Sequence, residues 1–188
     1  MKSTTLRVVF IAAGLLLAAC GQQQSGEQPA PAPAATAPSV FEIMNASIIP
    51  QSNQVWELAG DLYDDDGKID GARLNDQQWQ TIQDAATAMG AGAKTLAGAT
   101  SLKAAPAGVK IQSEGTEGAA GAADVQAAMD ADPKVFSEQA TQLVAIADEI
   151  VAAAKAHDGM KTDDASARLT DACGACHAKF WYPKQAAP

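Results

Sequence analysis

Histidine and cysteine are scarce in this chain, with 2 and 3 respectively among its 188 residues. Few side chains are therefore left from which to build a zinc site. A finger or ribbon needs four ligands at fixed spacing, and the only histidine away from the Cys173–His177 segment, His157, stands alone. Strand patterns are also missing: no stretch alternates apolar and polar residues convincingly, so the expected fold class is all-α. No internal repeat is evident. Positive charge is in short supply, 13 Lys and Arg against 22 Asp and Glu, for a net charge of −9. Such a surface repels nucleic acid and anionic membrane, and steers toward basic partners. No nucleophile with its base, and no acid/base pair, marks the chain as an enzyme.

Near the start, Lys2 and Arg7 precede an apolar run over residues 8–19. It is too short to span a bilayer and reads as a secretory signal peptide. It ends in Leu17-Ala18-Ala19-Cys20-Gly21, which resembles the bacterial lipobox. That resemblance implies removal of residues 1–19, lipid on Cys20, and anchoring on the periplasmic side of a bacterial membrane. An ordinary secretory signal with a chance cysteine is the competing reading. Gly21 lacks the aspartate associated with inner-membrane retention, a hint that does not choose between inner and outer membrane. Loss of residues 1–19 takes two cations and no carboxylate, moving the net charge from −9 to −11. With Cys20 lipidated, residues 20–38 form a Gln, Gly, Ser, Pro and Ala-rich linker, with Pro-Ala-Pro-Ala-Pro at 29–33. Such a stretch buries no core and holds the rest off the membrane.

The folded domain is expected over 39–188, with its ordered elements ending near Pro183. Four amphipathic helix patterns fill it. The first opens with Ser39-Val40-Phe41-Glu42, a capping box, and runs to about Ala59, with Pro50 expected to kink or split it. The second runs from about Asn75 to Gly98 along the stripe Trp79, Ile82, Ala86, Met89, Ala93, Leu96. The third has Asp132 as N-cap, Pro133 in its first turn, the stripe Phe136, Ala140, Leu143, Ala147, Ile150, Ala154, and Gly159 as its stop. The fourth starts at Thr162 or Asp163 and carries Leu169, Ala172, Cys173, Cys176, His177 and Phe180. A Gly/Ala-rich crossing connection spans 98–122, and residues 123–130 add a helical turn or two. Four such helices predict a four-helix bundle. Alanine on the buried stripes lets helices approach closely and leaves room for something flat and large between them.

The chemistry sits at Cys173-Gly174-Ala175-Cys176-His177. Cys-x-x-Cys-His is the attachment sequence of c-type haem, with two thioethers to the macrocycle and the adjoining imidazole on the iron. On a helix these three side chains share one side. A thioredoxin-like pair would need a βαβ context, which is absent. A disulfide within one helical turn would be strained. Lipid on Cys20 and haem on Cys173 and Cys176 leave no thiol over. The expected cofactor is one covalent haem c.

The motif ends 11 residues before the last residue, on the last helix. With Ile43-Met44-Asn45-Ala46 and Trp56 twelve residues later, the arrangement resembles class II c-type cytochromes, the cytochrome c′ group. Two departures stand out. Phe180-Trp181-Tyr182-Pro183 follows the motif where class II members more often carry an aromatic–basic pair, and Pro50 interrupts the first helix. The resemblance implies a monohaem four-helix bundle whose first helix delivers either a methionine to the sixth iron site or an apolar residue that leaves it open. Met44 occupies the matching position, so His177 and Met44 are the expected axial ligands, with core packing the plainer role for Met44. His157 is a weaker sixth-ligand candidate, better read as a helix C-terminal cap.

Trp56 and Trp79 are candidates for haem contact, with core packing the plainer role for aromatics on such stripes; Arg168 and Lys179 are weak candidates for pairing with its carboxylates. The stretch Asp64 to Gly71 has glycine and isoleucine at EF-hand spacing, but Leu62 and Arg73 stand where ligands belong, so it reads as a solvated acidic loop. The functional expectation is one-electron transfer in the cell envelope, with redox proteins as partners and oligomeric state open, a dimer included. The alternatives are a five-coordinate haem protein that binds or senses small gases, and a haem-free scaffold lipoprotein.

Overall fold

Helix starts written in the sequence are the first features that the structure reproduces. A computed structural model describes residues 37–182 of the chain. The signal sequence, Cys20 and nearly all of the linker lie outside the described residues. Ser39 caps α1 (Val40–Ile43) through a full capping box, in which Glu42 accepts from the Ser39 backbone N–H at 2.8 Å. These bonds hold the Glu42 carboxyl below its ordinary pKa. Asn75 and Gln78 form the same device at α3 (Asp76–Gly98).

The fold is all-helical. Among the described residues the remaining long elements are α2 (Ile49–Gly60), α4 (Ala122–Ala131), α5 (Pro133–Lys155) and α6 (Gly159–Phe180). Among the described residues extended pairing is limited to one isolated bridge, Tyr63 to Ile69. Helix α3 packs most extensively on α5, α5 on α6, and α2 on both α3 and α6. Their shared core holds Trp79, Ile82, Met89, Ile150, Leu169 and Val55, each at most 1% exposed. Both expected stripes point inward, except that Phe136 is only half-buried.

Pro50 does not split the first helix. A π turn, Met44–Ile48, lies between α1 and α2, and the Ile49 N–H donates to the Met44 carbonyl five residues back. Proline lacks an N–H, and its ring collides with the carbonyl four residues earlier in a regular α-helix. The wider turn absorbs the mismatch, so α1, the π turn and α2 run on as one arm with Pro50 in the first turn of α2.

Two further expectations need correcting at the α5–α6 turn. Gly159 does not stop the third helix; it opens α6, which Asp158 caps by accepting from the Lys161 N–H at 3.1 Å. The stop is His157, whose φ of 52° reverses the chain after α5. Gly159 is needed because a Cβ there would lie 3.0 Å from Ile69 Cγ2 and 3.2 Å from the Gly71 nitrogen. Asp132 takes the N-cap position of α5 without capping it; its carboxylate pairs with Lys179 instead.

Gly92 is another close approach. A Cβ on it would meet Ser47 Cβ at 3.0 Å and Ile48 Cγ1 at 3.2 Å, on the π turn. At Gly98 an added Cβ meets nothing within 4 Å. Opposite signs are therefore expected in urea unfolding of the two variants. Gly92→Val should lose about 1–3 kcal/mol through overpacking, and Gly98→Ala should gain about 0.4–1 kcal/mol by restricting the unfolded chain. Equal effects would mean that α3 and the π turn are not in contact.

Candidate functional site

Spacing on α6 decides which side chains meet. Cys173, Cys176, His177 and Phe180 recur at three- and four-residue intervals and share one side of the helix. That side faces a cleft whose opposite wall is Val40, Phe41, Met44 and Ile48, from α1 and the π turn. Helix α5 contributes Phe136, Gln139, Ala140 and Leu143. The cleft's cavity volume is about 150 Å3, smaller than the about 300–1000 Å3 of small-molecule and cofactor pockets. Among the described residues no Lys, Arg, Asp or Glu lines it.

The room does not lie between the alanine stripes. Helices α3 and α5 are close-packed along Ala86, Ala93, Ala140, Ala147 and Ala154, and α3 gives the cleft only Leu96. The cleft opens beside them, where residues 99–121 and α4 cross its end with Ala104, Ile111, Val125 and Met129. This crossing is firmly held. The Val40 and Phe41 N–H groups, left without helical partners at the start of α1, donate to the carbonyls of Lys103 and Ala104 at 2.8 and 2.9 Å. Gln126 accepts from the Ala104 N–H at 2.8 Å and donates to the Leu102 carbonyl at 3.2 Å. The Ala120 N–H donates to the Trp181 carbonyl at 2.7 Å.

Burial sets the protonation of the reactive groups. Desolvation pushes the His177 imidazole below its ordinary pKa, leaving it neutral and able to ligate a metal. The Cys173 thiol is raised by burial, and Cys176 is pushed up to about 11 by burial first and Cys173 second. Thiols held this way are protonated, the opposite of a thioredoxin-type redox pair. In chain produced without haem, about 0.1% of Cys176 is thiolate at pH 8, against about a quarter of an ordinary cysteine. Iodoacetamide should therefore label Cys176 about two hundredfold more slowly than after unfolding, with the rate climbing about tenfold per pH unit. Labelling at the rate of a free thiol at pH 8 would contradict that placement.

Other candidates lie elsewhere. His157 is exposed and stacks on Trp79, rings 5.2 Å apart and 8° from parallel, off the cleft wall. It lies off the cleft and closes the end of α5, where its N–H donates to the Ala154 carbonyl at 3.0 Å. Neither Trp56 nor Trp79 lines the cleft; Trp56 donates through Nε1 to the Ser166 carbonyl at 3.3 Å. Arg168 pairs with Glu149 and Asp164, and Lys179 with Asp132. In the acidic loop, Asp64 accepts from the N–H groups of Asp66 and Lys68 at 2.9 and 2.8 Å, turning a carboxylate inward to close the turn.

Sequence reasoning did not place Gln139 or Trp181 on the wall. Three buried side-chain polar atoms lack a hydrogen-bond partner among the described residues, and two of them are Gln139 Oε1 and Trp181 Nε1. A buried group left so costs about 1–3 kcal/mol. A glutamine interrupting the Phe136–Ala140–Leu143 stripe was the only signal for the first.

The side chains present fit the covalent haem that the motif implies. Two thiols and a neutral imidazole share one wall, a thioether stands on another, and the surroundings are apolar with two unsatisfied polar atoms. Among the described residues no group of three or more His, Cys, Asp or Glu is placed to hold a metal ion by itself. None of their helices is long and apolar enough to cross a membrane. No family model, curated protein or solved structure matches the chain.

Proposed function

We propose that this protein is a monohaem c-type cytochrome that carries single electrons in the bacterial cell envelope. The observation that carries this reading is the meeting of Met44 with Cys173, Cys176 and His177 around one apolar cleft, although 133 positions separate Met44 from His177. The architecture is a four-helix bundle, with the α1–π–α2 arm, α3, α5 and α6 as its members. Bound haem supplies an iron centre that cycles between ferric and ferrous states.

The chain's own residues do the rest. Cys173 and Cys176 would hold the cofactor through thioethers, which would set its orientation. His177, desolvated and neutral, would hold the iron through a ring nitrogen, and Met44 would supply a sulfur ligand. Val40, Ile48, Leu143 and their neighbours exclude water, which favours the less charged ferrous state. Asp61, Asp65, Asp66 and Asp70 are exposed and suit a basic redox partner. Lipid on Cys20 would hold the carrier at the periplasmic face of a membrane, with residues 21–38 as tether.

One preparation tests the reading. Full-length protein made alongside c-type maturation machinery is expected to partition into detergent and to keep a haem stain after denaturation. A stain-free band would leave only a scaffold lipoprotein; a stained band in the aqueous phase would remove the lipid anchor alone.

A further inference from the structure

The cleft combines three properties that fit poorly in an empty pocket. Among the described residues its wall carries no Lys, Arg, Asp or Glu, its lining is mostly apolar, and two residues on it keep a polar atom buried and unpaired. Haem is apolar over most of its surface but bears two carboxylates, and a carboxylate entering such a place needs hydrogen-bond donors. Among the described residues no cation lines the cleft, and Lys179, on the helix that bears the cysteines, pairs with Asp132. Neutral donors remain.

Trp181 is held for this purpose at both ends of its backbone. Its N–H donates to the His177 carbonyl at 2.8 Å, and its carbonyl accepts from the Ala120 N–H at 2.7 Å. Its ring meets the His177 imidazole edge to face at 5.1 Å. An indole nitrogen only donates, so the unpaired Nε1 calls for an acceptor. Gln139 presents an amide whose rotation by half a turn exchanges the unpaired oxygen for two N–H donors. It lies one helical turn beyond Phe136, whose ring packs edge to face on Phe180 at 5.4 Å. Both residues therefore sit beside the side of α6 that bears the attachment cysteines.

We infer that Trp181 Nε1 and the Gln139 amide bind a carboxylate of the haem, replacing the basic residue that would otherwise neutralise it. This rests on the cytochrome reading above. A neutral pair stabilises the carboxylate by hydrogen bonding without adding positive charge near the iron.

Resonance Raman spectra of the purified holoprotein test the contact through the bending band of the haem propionates, which moves to lower wavenumber when hydrogen bonds to them are lost. Trp181→Phe keeps an aromatic ring and deletes the N–H; Gln139→Met keeps the length and deletes the amide. Both are expected to retain covalent haem and to shift the band downward. Trp56→Phe, which removes an indole N–H away from the cleft, is expected to leave it in place. The inference is overturned if both cleft variants keep haem with the wild-type band, or if Trp56→Phe shifts it equally. Wild-type protein without haem would overturn the cytochrome reading itself, a result that the stain separates from the other two.

Discussion

Replacing Cys173 and Cys176 together by alanine should convert all of the haem from acid-acetone-resistant to extractable. Each thiol provides one thioether, so either single variant keeps one covalent bond and only the double variant loses both. The loss will not reflect unfolding. Alanine is the better helix former, both cysteines are only partly buried, and the main core of Trp79, Ile150 and Leu169 lies elsewhere. Helical circular dichroism should therefore stay close to wild type while the colour leaves with the solvent. Extraction of all haem from wild-type protein would end the covalent reading. Retention by the double variant would place the attachment at another residue.

Met44→Ala should change the iron's spin state outright. A thioether on the sixth site completes the coordination sphere, keeps reorganisation small during electron transfer and shuts out exogenous ligands. Histidine–methionine ligation also raises the reduction potential. Wild-type ferric protein is therefore expected to be low-spin, with the weak sulfur-to-iron band in the red. The variant should be high-spin or water-ligated, lower in potential, and much faster to bind carbon monoxide when reduced. Removing a fully buried methionine costs about 2–5 kcal/mol; Met44 is half-buried, so the variant should stay folded. His157→Ala should leave the spectrum alone, because His157 stacks on Trp79 outside the cleft. A wild type that is already high-spin, unchanged by Met44→Ala, would return Met44 to packing and favour gas binding over electron transfer.

Local chemistry fixed much of this protein in advance. The Ser39–Glu42 and Asn75–Gln78 caps, the inward stripes and the Cys-x-x-Cys-His spacing act within one or two helical turns, so a short window of residues specifies each. The grouping of Cys173, Cys176, His177 and Phe180 on one side of α6 follows from helical geometry alone.

Tertiary structure decided what depends on distant partners. Pro50 announced a break, but the outcome was a π turn, because Ser47 and Ile48 must also meet Gly92 on α3. Gly159 marked a boundary whose direction was set by Gly71 and Ile69 across the turn. Asp132 left its cap for Lys179, 47 positions away. The cleft belongs to the same class of feature: its walls come from α1, the π turn, α5, α6 and the 99–121 crossing. Only their packing buried Gln139 Oε1 and Trp181 Nε1 and left them without a partner among the described residues. Sequence periodicity reports which way a side chain points on its own helix, whereas a pocket is a relation among helices.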